Sequence, residues 1–252
     1  MLQRIRLNFV GLWRIDIRQN LVDRIAERTF AGVERTLGEL ILSSNRLLRV
    51  PERALRNLQK LRVLDLSNNQ IDVIKRFDFS GVEGTLETVS LADNYILTLE
   101  MDTFKGFKRL EKLDMQGNSI LTVVPMDGGS LKLTHFNLAE NSLDSIPFTT
   151  LGQLKSLHTV NLAKNRINIT FDETIKSKIS LDTLILDDNM IGRLYNNSFR
   201  NFEIVNRTQI NGNWIKEIDG NAFEGVKIRD LSIVESTVSK INASAFAGLE
   251  GT

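Results

Sequence analysis

The chain has 252 residues, 42% hydrophobic and 25% charged, with 32 Lys+Arg against 31 Asp+Glu and a formal charge of +1. That balance excludes a global polyelectrolyte role against nucleic acid, and without an apolar run of about eighteen residues this sequence contains no membrane span. Cysteine is absent, so neither a disulfide framework nor thiolate chemistry is open to it.

From the N-terminus, Ile5, Leu7 and Phe9 alternate with other residues as the end of a strand-bearing unit would. The next unit places Leu12, Ile15 and Ile17 eight, five and three residues before Asn20, with Val22 two residues after it. The same offsets return with Leu37/Leu40/Leu42 before Asn45, Leu61/Leu64/Leu66 before Asn69, and Leu86/Val89/Leu91 before Asn94. They continue with Leu110/Leu113/Met115 before Asn118, Leu133/Phe136/Leu138 before Asn141, and Leu157/Val160/Leu162 before Asn165. Leu181/Leu184/Leu186 precede Asn189 and Val205/Thr208/Ile210 precede Asn213, while Ile228/Leu231/Ile233 precede Ser236 in the asparagine slot. Intervals of 23 to 25 residues repeated down the chain predict one stack of about ten supersecondary units over 1–252, each too small to fold alone.

Within each trio the last two apolar residues alternate with polar ones, which predicts a strand of three to five residues buried on one face. Ten such strands in a parallel sheet span roughly 45–50 Å. Each asparagine falls where the chain leaves its strand, and its amide can pair backbone groups that stacking would bury without partners. Ten residues later phenylalanine recurs at Phe30, Phe79, Phe104, Phe199, Phe223 and Phe246, filling the back of the coil. Because strands pack closer than these rings, the sheet is expected on the concave side. After Asn118 the ring is replaced by Gly128, and after Asn165 by Ile175. Residues from about 120 to 180 therefore lose the ring column, and a thinner back is expected there.

These offsets spell LxxLxLxxNxLxxL followed by F and L, and the chain resembles the typical, 24-residue class of leucine-rich repeat proteins. The resemblance implies an α/β fold: a curved horseshoe with a parallel concave sheet and turns or short 3-10 and helical segments behind. It also implies an extracellular or cell-surface setting. The joints Gly32-Val33-Glu34-Arg35-Thr36-Leu37 and Gly81-Val82-Glu83-Gly84-Thr85-Leu86 are similar to those of chaoptin-like and matrix repeat proteins, which act in adhesion and matrix organisation. Members of this class carry Cys-stapled caps, absent here. The chain is therefore expected to be a fragment lacking both caps, or else a protein of a reducing compartment.

Partners of such proteins commonly dock on the concave sheet, so the exposed strand positions are the candidate site. They include Arg14, Asp16, Asp65, Ser90, Lys112, Asp114, His135, Asn137, Thr159 and Asn161. His135 and His158 lack carboxylates at matching depth, so no metal or cofactor is expected, and no catalytic constellation is visible. Residues 1–60 hold twelve Lys/Arg against six Asp/Glu, and Arg46, Arg49, Arg53 and Arg56 suit a sulfated glycan through their planar forks. Sequons at Asn168, Asn196 and Asn242 fall on flank or back, where a glycan fits. A fourth at Asn206 is poorly placed, because Thr208 takes a core slot. The expected function is a protein-binding scaffold in adhesion or matrix. A ligand-sensing receptor ectodomain and a cytosolic scaffold or regulatory subunit are the alternatives.

Overall fold

A computed structural model describes residues 11–249; Ile5, Leu7 and Phe9 lie outside them. Ten strands hydrogen-bond in chain order into one parallel sheet. They are Arg14–Asp16, Glu39–Ile41, Val63–Asp65, Thr88–Ser90, Lys112–Asp114, His135–Asn137, Thr159–Asn161, Ile179–Ile185, Phe202–Gln209 and Lys227–Ser232. The register follows the repeat. Ile15 pairs with Leu40, and the row runs on through Leu64, Val89, Leu113, Phe136, Val160, Leu184, Thr208 and Leu231. From Leu40 to Leu184 every member of that row is at most 1% exposed. The apolar offsets therefore become a continuous core, and the intervening residues, apart from the buried Ile41, face out.

The last three strands are seven, eight and six residues long, beyond the three to five expected. The cause lies just before each trio. Earlier units turn there on Gln59-Lys60 or Lys155-Ser156, whereas these units begin on Ile179, Phe202-Glu203-Ile204 and Lys227. Ile179 and Phe202 are buried, so extended, β-favouring residues pair where others turn. Two smaller parallel sheets lie outside the main one: Thr98–Glu100 with Thr122–Val124, and Arg193–Leu194 with Glu217–Ile218 and Lys240–Ile241. The helices Glu52–Leu55 and Phe148–Gln153 each start after a proline, Pro51 or Pro147, whose ring holds φ near the helical value.

Behind the sheet the phenylalanines stack. Phe79 and Phe104 have centroids 5.8 Å apart, Phe199 and Phe223 5.3 Å, and Phe223 and Phe246 5.8 Å. In the middle, where the column is broken, other groups fill the back. Phe148 packs against Phe202 at 5.7 Å, and Met126 is buried. Side-chain amides then stitch neighbouring coils. Met126 N–H donates to Gln153 Oε1 (3.1 Å) while Gln153 Nε2 donates to the Met126 carbonyl (3.0 Å). Asn201, 1% exposed, accepts from Asp172 N–H (2.7 Å) and donates to the Asp172 and Ile175 carbonyls (2.9 and 3.0 Å).

Candidate functional site

What holds the sheet face in place is the asparagine ladder. Asn141 Nδ2 donates to the carbonyls of Leu138 (3.1 Å) and Ala139 (3.0 Å) in its own unit and Met115 (3.0 Å) in the preceding one. Its Oδ1 accepts the N–H of Ile120 at 2.9 Å. The same set recurs at Asn45, Asn69, Asn94, Asn118, Asn165, Asn189 and Asn213. Asn20 is exposed, and among the described residues its side-chain amide bonds only the Ile17 and Arg18 carbonyls. In the tenth unit Ser236 is too short for the span, and its hydroxyl is buried without a partner among the described residues.

One device of this corner escaped the sequence reading. The residue immediately before each ladder position has positive φ, from 50° at Asn68 to 66° at Gly117, in all ten units. Left-handed backbone reverses the chain so that the next amide points inward, at a cost of about 1–2 kcal/mol for a residue bearing a Cβ. Gly117 and Gly212 avoid that cost. At both, a Cβ would also fall 2.1 Å from a neighbouring carboxylate oxygen, of Asp93 or Asp188. The legible signal was the polar or glycine residue at that offset in every unit: Gln19, Ser44, Asn68, Asp93, Gly117, Glu140, Lys164, Asp188, Gly212 and Glu235.

On the sheet face the proposed contact residues divide into two sets. Asp65, Asp114, Asn137 and Asn161 each turn an oxygen back to the N–H two residues on, at Ser67 (2.9 Å), Gln116 (3.2 Å), Ala139 (3.2 Å) and Ala163 (3.1 Å). That side-chain bond closes the strand end, so these residues serve the turn as well as any partner. Burial pushes the Asp114 carboxyl above its usual range, and the charges of Asp93 and Asp65 add to the shift. Lys112 and His135 are exposed, while Ser90 and Thr159 are half-buried. The Thr134 hydroxyl donates to the Glu111 carbonyl (3.0 Å), so Nδ1 of His135 is the donor in their 2.9 Å contact. His158 Nε2 stands 4.0 Å from Asp182. Among the described residues no group of three or more His, Asp or Glu is placed to hold a metal ion.

The basic N-terminal segment is matched by acids in part. Arg14 reaches Asp16 (2.8 Å) and Glu39 (3.2 Å), and Arg18 reaches Asp16 (3.1 Å). Hydrogen bonding from Arg14, helped by Arg18, holds the Asp16 carboxyl below its usual range. Arg49 pairs with Asp72, and Arg53 stands 3.8 Å from Glu52. Arg46 and Arg56 are exposed. An open groove of about 450 Å³ includes Arg24, Arg49 and Arg53, but Asp23, Glu27 and Glu52 line it too. Of the sequons, Asn168 and Asn196 are exposed and off the main sheet. Asn242 is half-buried, with Nδ2 donating to Glu217 Oε1 (2.9 Å) and Asp219 Oδ1 (3.3 Å). Asn206 lies exposed on the sheet face and donates to Asp182 (3.0 Å), while Thr208 is fully buried.

Comparison with known proteins points one way. A family model described as leucine rich repeat matches residues 35–84 and 84–143, and one described as BspA type leucine rich repeat region (6 copies) matches 128–251. Chaoptin from Drosophila melanogaster is 45% identical over 58 residues, which is 23% of this chain and 4% of chaoptin. The chain thus spans a small part of that relative. Among solved structures, the leucine-rich repeat domain of APL1 superposes with a TM-score of 0.64 at 19% identity, covering 93% of this chain and 58% of that one. The LRIM1/APL1C complex gives 0.64 at 19%, covering 92% and 41%. The leucine-rich repeat domain of APL1B gives 0.58 at 17%, covering 90% and 74%. At these identities the structures establish the fold alone. No helix among the described residues is long and apolar enough to cross a membrane.

Proposed function

Because this chain belongs to the leucine-rich repeat family, we propose that it is a non-enzymatic binding scaffold of an extracellular or cell-surface protein, acting in adhesion or matrix organisation. It presents the sheet face to a protein or matrix ligand. The observation that carries this reading is the sheet itself: ten strands in register whose inward residues form the core and whose outward residues make a broad polar surface. The adhesion role rests on the likeness to chaoptin-like repeats in the two Gly-Val-Glu joints, supported by the 58-residue match. Exposed Asn168 and Asn196 suit glycosylation in that setting.

The test tethers the chain to the surface of non-adhesive cells and scores clustering or attachment to deposited matrix. The reading expects attachment that Lys112→Glu, His135→Glu and Thr159→Glu together abolish. Lys176→Glu, exposed away from the main sheet, should leave it intact. Attachment indifferent to the triple substitution, or no attachment at all, contradicts it.

A further inference from the structure

At the N-terminal edge of the described sheet, Trp13 lies down on the neighbouring strand. A Cβ placed on Gly38 would fall 2.1 Å from Trp13 Cη2 and 2.3 Å from both Cζ2 and Cζ3. Near-equal distances to one atom and both its ring neighbours describe a ring face, since an edge would leave the neighbours clearly farther. Gly38 is thus the floor on which the indole rests, and its N–H donates to the Trp13 carbonyl at 2.8 Å. Its φ is not left-handed, so the position needs the missing side chain, not glycine's backbone freedom. Trp13 remains 46% exposed, with the Arg62 guanidinium 5.9 Å from the ring centroid.

Around this platform donors and acceptors are already fixed against one another. Arg14 is held by Asp16 and Glu39, Arg18 by Asp16, and Arg62 stands 3.7 Å from Glu87. Three guanidiniums and three carboxylates sum to zero formal charge. We propose that this end of the sheet is a binding site for a neutral oligosaccharide, one sugar ring stacked on Trp13 and its hydroxyls bonded by Arg14, Asp16 and Glu39. A pyranose presents a C–H face that an indole accepts, and a rim of hydroxyls that both donate and accept. An uncharged ligand with that rim fits a charge-balanced array. A sulfated chain would have to compete with carboxylates for every cation here, so the site is distinct in chemistry from a heparin-type patch. The inference does not depend on the adhesion reading: a protein partner elsewhere on the sheet neither requires nor forbids it.

The experiment uses the full chain carrying Trp214→Phe, an exposed position, so that Trp13 is the sole reporter. Its emission and its indole N–H resonance are followed on titration with cellohexaose, chitohexaose and maltohexaose, and in a separate arm with a heparin hexasaccharide. Expected is a saturable change with at least one neutral sugar, of Kd about 1 mM or tighter, insensitive to salt. Gly38→Ala and Arg14→Ala should each weaken it at least tenfold while leaving the melting transition in place. Because these variants act through different contacts, a folding defect in one leaves the other to decide. No saturable response to any neutral sugar overturns the proposal. So does saturation by heparin alone, or binding unchanged in both variants.

Discussion

Replacing Asn141 by Ala should cost several kilocalories per mole, whereas Asn20→Ala should cost little. Asn141 is 8% exposed and makes four hydrogen bonds, three donated to carbonyls of two units and one accepted from Ile120 N–H. Alanine removes all four: the carbonyls of Met115, Leu138 and Ala139 keep bonds from Asn118, Asn165 and Gly117, but the buried Ile120 N–H loses its acceptor. At about 1 kcal/mol net for each of four bonds, with a further 1–3 kcal/mol for the unsatisfied Ile120 N–H, the loss is roughly 5–7 kcal/mol. A domain's whole stability is about 5–15 kcal/mol, so the effect is large. Asn20 makes two bonds and is exposed, so water replaces the amide and the loss should stay below about 1 kcal/mol. Asn141→Asp should be worse than Ala at neutral pH, because a carboxylate would face three carbonyl oxygens. The assay is urea unfolding followed by circular dichroism, with amide exchange at Ile120 as the local readout. Equal losses at positions 20 and 141, or unchanged protection of Ile120, would refute the reasoning.

Four further outcomes follow from the same corner. Ser236→Asn should raise stability by about 1 kcal/mol by restoring the missing amide, measured as a shift in the urea midpoint. Glu235→Gly should gain up to about 1 kcal/mol by relieving a φ of 55°, while Gly212→Ala should lose stability, since its Cβ would meet Asp188. Asp114→Asn keeps an oxygen for the Gln116 N–H and should stabilise at neutral pH. The sign follows from the raised folded-state pKa: Asp114 favours folding while protonated, below its unfolded pKa, and that contribution is lost as pH rises through the folded value. The advantage of Asn should therefore vanish on acidification, which thermal melts across the acid range will show.

Much of this architecture was legible before any coordinates. Offsets of eight, five and three residues from each asparagine fixed which leucines turn inward, because stacking identical units makes register a property of the period itself. Interactions between non-equivalent positions were not legible. Gln153 clamps Met126 and Asn201 clamps Asp172 through pairs that no periodicity marks. The left-handed residue before the ladder was visible as a polar column, yet its meaning required φ. On the sheet face, Asp65, Asp114, Asn137 and Asn161 read as solvent-facing binders, although each also closes its own turn. Composition could not reveal that Arg14 and Arg49 of the basic N-terminal segment are matched by acids from adjacent coils, Glu39 and Asp72.

The chain contains no cysteine, so single cysteines can map which side chains face water. Placed in turn at 63–65, 112–114 and 183–185, they should react slowly with a thiol reagent at the central positions, Leu64, Leu113 and Leu184. Their flanks, exposed at Lys112 and half-buried at Val63, Asp65, Asp114, Thr183 and Ile185, should react faster. Uniform reactivity along each triplet, or fast labelling at the three leucines in folded protein, would contradict a solenoid built on one inward-facing aliphatic row.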